Sequence, residues 1–574
     1  MKGSTWLVWI VWSFGILISQ SVSAQYFETK VTESKIYRLT LSEAKQLGFK
    51  DFSEVSFYGY PGMLPQKLDS AELKLQEIPA FQKGENLYVY LQGPHSIQWS
   101  EGESPRYLHH LYEDTLSYLI GKNSNPKRIQ SLPSGTSNST ENPILYRFYT
   151  HKEETINILN SGRTWYSNPI RQGQSLNINF GVKSSSSKPW LIKGEVMGQS
   201  TASSSMRMLT GDQLLQEIQF SPIPNTPYGL KGDTKLFSLE IIPTGGQLSQ
   251  LRFTFQGTGS GYLDFILVGV PFHSDEWKNG IFQSENDQTI PLTSNNLIWE
   301  ISDFYHPRIY TGSSASGKKW AIFTENSISS LIISGTKNPD LRQDSKTSEL
   351  LIIAPLQLLF SASKLQSHKE NIGISTQVVN LQDIYNSFGY GNSDLTAIRN
   401  FIAWKYHRSK TLKNVLILGK GTFDYKGKLG GRPNLVPVYT SRNSLNPLTT
   451  YSSDDYFALI DWGQGIWEES REGDELLQIG IGRIPVINGL EASIMVEKII
   501  RYETQAKFGP WKRNLTFFAD DGDNNIHLRD GESLSNYLAE NHPGFLVEKQ
   551  YLDRFEQVSS GSTQSSPQAK SALL

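Results

Sequence analysis

The side chains most able to do chemistry in this 574-residue sequence are carboxylates gathered in three places. Asp424 is the first, the adjacent Asp454 and Asp455 the second, and the trio Asp520, Asp521 and Asp523 the third. All three fall at the ends of short apolar runs that read as strands. Carboxylates so placed can move protons, hold a cation or recognise a basic side chain. Asp also shapes turns and caps helices, so each cluster has a purely structural reading as well. In a parallel α/β sheet, ligands bind outside the carboxyl ends of the strands, and three clusters at one sheet edge lean towards function.

The third cluster resembles a calcium loop in part. Asp521, Asp523 and Asn525 occupy its first, third and fifth positions, and Glu532 the twelfth, where a bidentate carboxylate belongs. Ile526 stands where the loop needs Gly, and a strand precedes it instead of a helix. Calcium is the one cofactor suggested, and none is required. The ten His show no His-Glu-x-x-His or similar ligand spacing, which argues against zinc chemistry. His527, next to the acidic loop, is the one nearest the expected site.

Two glycine motifs fail on context. Gly312-Ser-Ser-Ala-Ser-Gly-Lys318 has phosphate-loop spacing, but Lys319 replaces the magnesium-binding hydroxyl and Trp320 to Thr324 reads as a strand, so a turn between strands is expected. Gly419 and Gly421 lack the third Gly and the immediate helix of a dinucleotide site.

The elements that must position the acidic clusters lie in the last part of the chain. Glu349 to Ala354 and Asn414 to Leu418 are continuously apolar, as in buried parallel strands. Further strands are expected at Ile374 to Val379, Tyr456 to Ile460, Leu477 to Ile481, Leu515 to Ala519 and Phe545 to Tyr551. Helices are expected from Pro355 past Leu365, at Asp394 to Tyr406, at Leu490 to Tyr502 and at Glu532 to Glu540. Strands alternating with helices imply a doubly wound α/β domain over 346–574. Before it, runs such as Leu87 to Leu91, Ser175 to Phe180 and Leu251 to Phe255 alternate apolar and polar residues, giving β-rich modules over 25–140 and 141–345. The expected class is therefore multidomain: β-rich, then α/β.

A formal net charge of -2 gives no basic excess for nucleic acid. The apolar run Trp6 to Ile18 is shorter than the about 20 residues that span a bilayer. With Val22 and Ala24 as the small pair before a cut, 1–24 reads as a secretory signal peptide. The chain contains no Cys, so it can form no disulfide and provide no thiol.

Seven segments in order carry a family resemblance. They are Asp383 to Asp394 with Ala397-Ile-Arg399, Leu416 to Lys426, Ser453-Asp-Asp-Tyr-Phe457, Gly482-Arg-Ile-Pro485, Lys498 to Glu503, Gly509-Pro-Trp511 and Ala519 to Asp523. Together they resemble the gingipain-type cysteine peptidases, in particular the sortases of type IX secretion. The resemblance implies a caspase-like α/β domain in which a His from a Gly-His-Gly loop activates a Cys. Neither occurs before the last residues, Ser571-Ala-Leu-Leu574, so the chain as written is expected to be catalytically inactive, with the His and Cys falling beyond Leu574. Asp424, Asp454, Asp455 and His527 then become candidates for the substrate cleft, and Asp521, Asp523, Asn525 and Glu532 candidates for calcium. The implied partners are protein or peptide substrates bearing C-terminal secretion signals, together with outer-membrane secretion components. The implied location is exported: periplasm, outer-membrane surface or outside the cell. The alternative class is a non-catalytic surface or secretion-complex interaction protein.

Overall fold

Continuous apolar runs become the centre of a parallel sheet, since both faces of each strand must be covered. The computed structural model describes residues 26–573 except 134–141, 294–295, 336–339, 432, 467–475, 506, 508, 521 and 561–562. The expected leader, the module boundary near 140 and Asp521 lie outside the described residues. The chain forms two compact units, Met1–Val496 and Glu497–Leu574.

In the first unit the parallel sheet contains β1 (Leu350–Ala354), β2 (Thr376–Asn380), β3 (Asn414–Leu418) and β4 (Gly480–Ile484), in the order β2-β1-β3-β4. Register pairs Leu350 with Thr376 and with Asn414, and Leu418 with Ile484. Helices α1 (Leu359–Asn371), α2 (Leu381–Phe388) and α3 (Leu395–Ser409) connect or flank these strands, and α4 (Gly489–Gln505) follows β4. Ile353, Ile384, Ile398, Phe401, Ile402, Ile417 and Tyr456 share one core. Asp394 caps α3, its carboxylate accepting the Thr396 N–H at 2.8 Å.

Before the α/β segment, alternation does produce sheets with one buried face. A nine-stranded sheet faces a four-stranded one, Ser175–Lys183, Gln247–Gln256, Ser204–Thr210 and Gln213–Phe220, across a core that includes Trp190, Met206, Phe253, Phe255, Ile266 and Val268. A five-stranded sheet is built around Tyr26–Val31 and Leu116–Lys122. It receives Ile333–Ser334 from the far end of the β-rich region.

The stretch Tyr390 to Asp394 joins the β-rich region to the α/β core. Asn392 imitates a strand edge: its Oδ1 accepts the Ser117 N–H at 2.8 Å and its Nδ2 donates to the Ser117 carbonyl at 3.1 Å. The Asp394 carboxylate also accepts the Leu64 N–H at 2.8 Å, and the Tyr390 hydroxyl accepts the Gln76 N–H at 3.1 Å. Gly391 has φ +95°, and a Cβ there would lie 2.9 Å from the Glu28 carboxylate and 3.1 Å from the Ser117 side chain.

The second unit pairs β5 (Asn514–Ala519) with β6 (Leu546–Tyr551) in parallel and places α5 (Ile526–Asn541) between them in sequence.

Two expectations are corrected and a third is narrowed. Tyr456 to Ile460 is no strand: Asp455–Ala458 is a 3-10 turn, closed by the Phe457 N–H donating to the Asp454 carbonyl at 3.0 Å. All five of those residues are buried, and a wholly apolar run carries no period by which to tell strand from helix. The strand placed at Leu477 begins three residues later, at Gly480. The Gly312 motif does hold a turn between strands, but a shorter one than its spacing suggests, Gly312 and Ser313 alone, because strand pairing resumes at Ser314 and continues to Thr324.

Candidate functional site

Beyond the carboxyl ends of β3 and β4 the backbone stays zipped. Gly419 N–H donates to the Ile484 carbonyl and Lys420 N–H to the Val486 carbonyl, both at 2.9 Å. Gly419 has φ +137°, and a Cβ on Gly421 would meet the Val436 carbonyl at 2.7 Å. Glycine at both positions lets the following loop fold back across the strand ends. The resulting cavity has a volume of about 510 Å³, within the usual size range for a ligand pocket. Its lining includes Lys420, Thr422, Phe423, Asp424, Ser453 and Arg483.

Asp454 and Arg483 form the floor. The guanidinium meets the carboxylate in a bidentate pair, Nε to Oδ2 at 2.8 Å and Nη2 to Oδ1 at 2.7 Å. Nη1 donates to the carbonyls of Gly419 and Val436, each at 2.7 Å, and Nη2 to that of Pro437 at 3.0 Å. Arginine has five N–H donors, and all five are used. The side chains are 10% and 17% exposed, so the pair is largely desolvated. Arg483 therefore clasps three segments together: the turn after β3, residues 436–437, and the Ser453-Asp454 loop. This gives a physical reason for Ser-Asp-Asp and Gly-Arg-Ile-Pro to occur together.

Asp424 is buried and closes its own turn, accepting the Lys428 N–H at 2.9 Å and the Leu429 N–H at 2.8 Å. The Asp455 N–H donates to Ser453 Oγ at 3.1 Å. Asp424 and Asp454 thus both line the cavity, with their carboxylates engaged in shaping it. The rest of the lining is a mixed wall: Lys420, the Ser453 hydroxyl, and the apolar faces of Phe423, Val438 and Pro485, while the Thr422 hydroxyl is engaged with the Asp424 backbone. Such a wall suits a peptide better than a highly charged small molecule. It includes no thiol and no imidazole.

The remaining candidates lie in the second unit. His527 Nε2 is 3.4 Å from Asp523 Oδ2 on an exposed surface. Asp523, Asn524 and Asn525 all have positive φ, a left-handed turn leading into α5. The Glu532 carboxylate accepts the Lys549 ammonium at 3.0 Å, and this contact together with that from Tyr551 lowers its pKa. Among the described residues, no three of His, Cys, Asp and Glu are arranged to hold a metal ion.

The sequence reading overlooked a second polar cluster on the same loop. Lys426 donates to Asp114 at 2.7 Å and to Glu154 at 2.9 Å, and Lys428 pairs with Glu154 at 2.7 Å. His109 Nε2 is 2.6 Å from Glu154 Oε1. Burial opposes the Glu154 charge, but the His109 hydrogen bond and the lysines outweigh it and hold the carboxyl well below the ordinary range. The lysines lie more than 250 residues from the carboxylates they pair with, so no local pattern announces them.

Residues 343–574 match the model of peptidase family C25, so the resemblance read from the sequence is shown for that segment. The solved structure of dimeric latent PorU from Porphyromonas gingivalis superposes with a TM-score of 0.72 at 19% identity, covering 89% of this chain and 54% of that one. At that identity the likeness is one of fold, and it takes in the β-rich region as well as the α/β segment. This chain spans about half, 54%, of the length of that protein. The complex of the pro- and mature domains of RgpB from the same organism aligns at 17% identity with a TM-score of 0.26, over 38% of this chain and 43% of that one. No curated protein matches the chain.

Proposed function

We propose that the cavity at the carboxyl edge of β3 and β4 is one wall of a peptide-binding cleft, belonging to an exported gingipain-like cysteine peptidase that processes C-terminal signals of type IX-exported proteins. The observation that carries this reading is the Asp454–Arg483 clasp. It fixes a mixed apolar and polar pocket at the sheet edge where α/β enzymes bind ligands, inside a segment matching a peptidase family. Peptide substrates bearing secretion signals and outer-membrane secretion components are the partners proposed. With no Cys among its 574 residues, the polypeptide itself binds without turning over.

The test is fluorescence anisotropy with labelled C-terminal-signal peptides, run beside hydrolysis assays on peptide esters and amides. Saturable binding weakened at least tenfold by Ser453→Trp, with no hydrolysis, is expected. Hydrolysis by the pure chain, or binding indifferent to Ser453→Trp, would overturn the reading. The absence of a thiol also favours a second reading, a non-catalytic member of a secretion complex. That reading predicts capture of a secretion component without affinity for the signal peptide.

A further inference from the structure

We propose that His95, Tyr107 and His109 form a binding site for one divalent transition-metal ion of the zinc class, on a hairpin that leans on the cavity loop. The hairpin pairs His95–Gln98 with Arg106–His109, and His95 is the cross-strand partner of His109. Side chains two residues apart share a face of a strand, so Tyr107 points to the same side as His109. The topology thus brings three donors to one face of a two-stranded ribbon.

Their geometry is that of a ligand triangle. His95 Nδ1 to His109 Nδ1, Tyr107 Oη to His95 Nδ1 and Tyr107 Oη to His109 Nδ1 are each 3.2 Å. Donors about 2.0–2.1 Å from a tetrahedral zinc are about 3.3 Å apart, so the three atoms match one face of its coordination shell. The imidazole planes differ by 10° and their centroids are 4.9 Å apart. With the nitrogens at 3.2 Å, the two rings meet at their Nδ1 edges.

The outer shell is also present. His109 must present Nε2–H to the Glu154 carboxylate at 2.6 Å, which leaves the lone pair on Nδ1. Carboxylate–imidazole–metal relays of this kind orient zinc ligands. Lys426 and Lys428 offset Glu154 and Asp114, so the surroundings carry no excess positive charge against the ion. The third donor is a phenol in place of a third His, Cys or carboxylate. A water would complete four-coordination. Because Glu154 also holds Lys426 and Lys428, bound metal would stiffen the loop carrying Asp424.

The test uses the full chain without a histidine tag, stripped with chelator and titrated with Zn²⁺ by calorimetry, with Co²⁺ as a spectroscopic probe. One Zn²⁺ per chain and a visible d–d band on Co²⁺ addition are expected. His95→Gln with His109→Gln should weaken binding about a hundredfold or more and abolish the band, while Glu154→Gln should weaken it about 10- to 100-fold. Tyr107→Phe, which keeps both imidazoles, should shift the Co²⁺ spectrum while leaving the circular dichroism unchanged. Failure to bind one equivalent, or binding unaltered in a double variant whose circular dichroism is native, would overturn the site.

Discussion

Replacing Arg483 by Ala exposes how much of the cavity depends on one side chain. The change leaves the Asp454 carboxylate, 17% exposed, without its bidentate partner and strips donors from the carbonyls of Gly419, Val436 and Pro437. Removing one partner of a buried ion pair costs about 3–5 kcal/mol, because the stranded charge remains desolvated. Arg483→Lys should recover little, since a point charge with three donors cannot reproduce a planar five-donor fork. A chain with several units does not unfold in two states, so native-state hydrogen exchange is the suitable assay. The Gly419 N–H, bonded to the Ile484 carbonyl at 2.9 Å, reports opening of this edge directly. The expected loss of protection is about a hundred- to a few thousand-fold, at tenfold per about 1.4 kcal/mol. Asp454→Ala combined with Arg483→Ala should cost less than the sum of the singles, because the stranded charge is gone. Protection within threefold of the parent in Arg483→Ala, or strict additivity in the double variant, would refute the clasp.

Asn392→Ala, which unpairs the N–H and C=O of Ser117, should destabilise the junction by about 2–3 kcal/mol, read as faster exchange at Ser117. Gly391→Ala should cost about 1–3 kcal/mol through its φ of +95° and the approach of Ser117, seen as a lowered melting temperature. Burial first, and then Asp264, raises the Glu195 carboxyl from 4.5 to about 7. The folded chain therefore holds a proton there that the unfolded chain releases, and stability falls as pH rises through that window. Glu195→Gln should melt higher than the parent at pH 8, by roughly 1–2 kcal/mol, and equally at pH 4. A difference that does not change with pH would contradict that assignment.

The strands of the parallel sheet were legible because Leu350–Ala354 and Asn414–Leu418 must be covered on both faces. The start of α3 was legible because Asp394 precedes its apolar stripe. Residues Tyr456 to Ile460 were not, since uniform burial erases period. Asp424 and Asp454 were placed at the strand ends, yet the use of their oxygens depends on partners that spacing cannot reveal: two amides within the turn, and Arg483 from the next strand. The His95–Tyr107–His109 triangle was missed because linear ligand motifs describe helices and knuckles, whereas a hairpin matches residues by register. Helix α2 is only eight residues long, about two turns, too short for its period to stand out in the sequence.

The Asn392 latch also bears on the order in which this polypeptide can fold. Ser117, Glu113 and Leu64 are 275, 280 and 330 residues before their partners Asn392, Ser393 and Asp394. Contacts so distant in sequence slow a search that starts from a whole unfolded chain. A chain delivered N-terminus first faces an easier task, since domains tend to fold in the order in which they emerge. The strand Leu116–Lys122 would already be paired with Tyr26–Val31 when the Gly391 turn appears, and would offer it a finished edge. The β-rich region would then serve as the template on which the α/β segment is assembled.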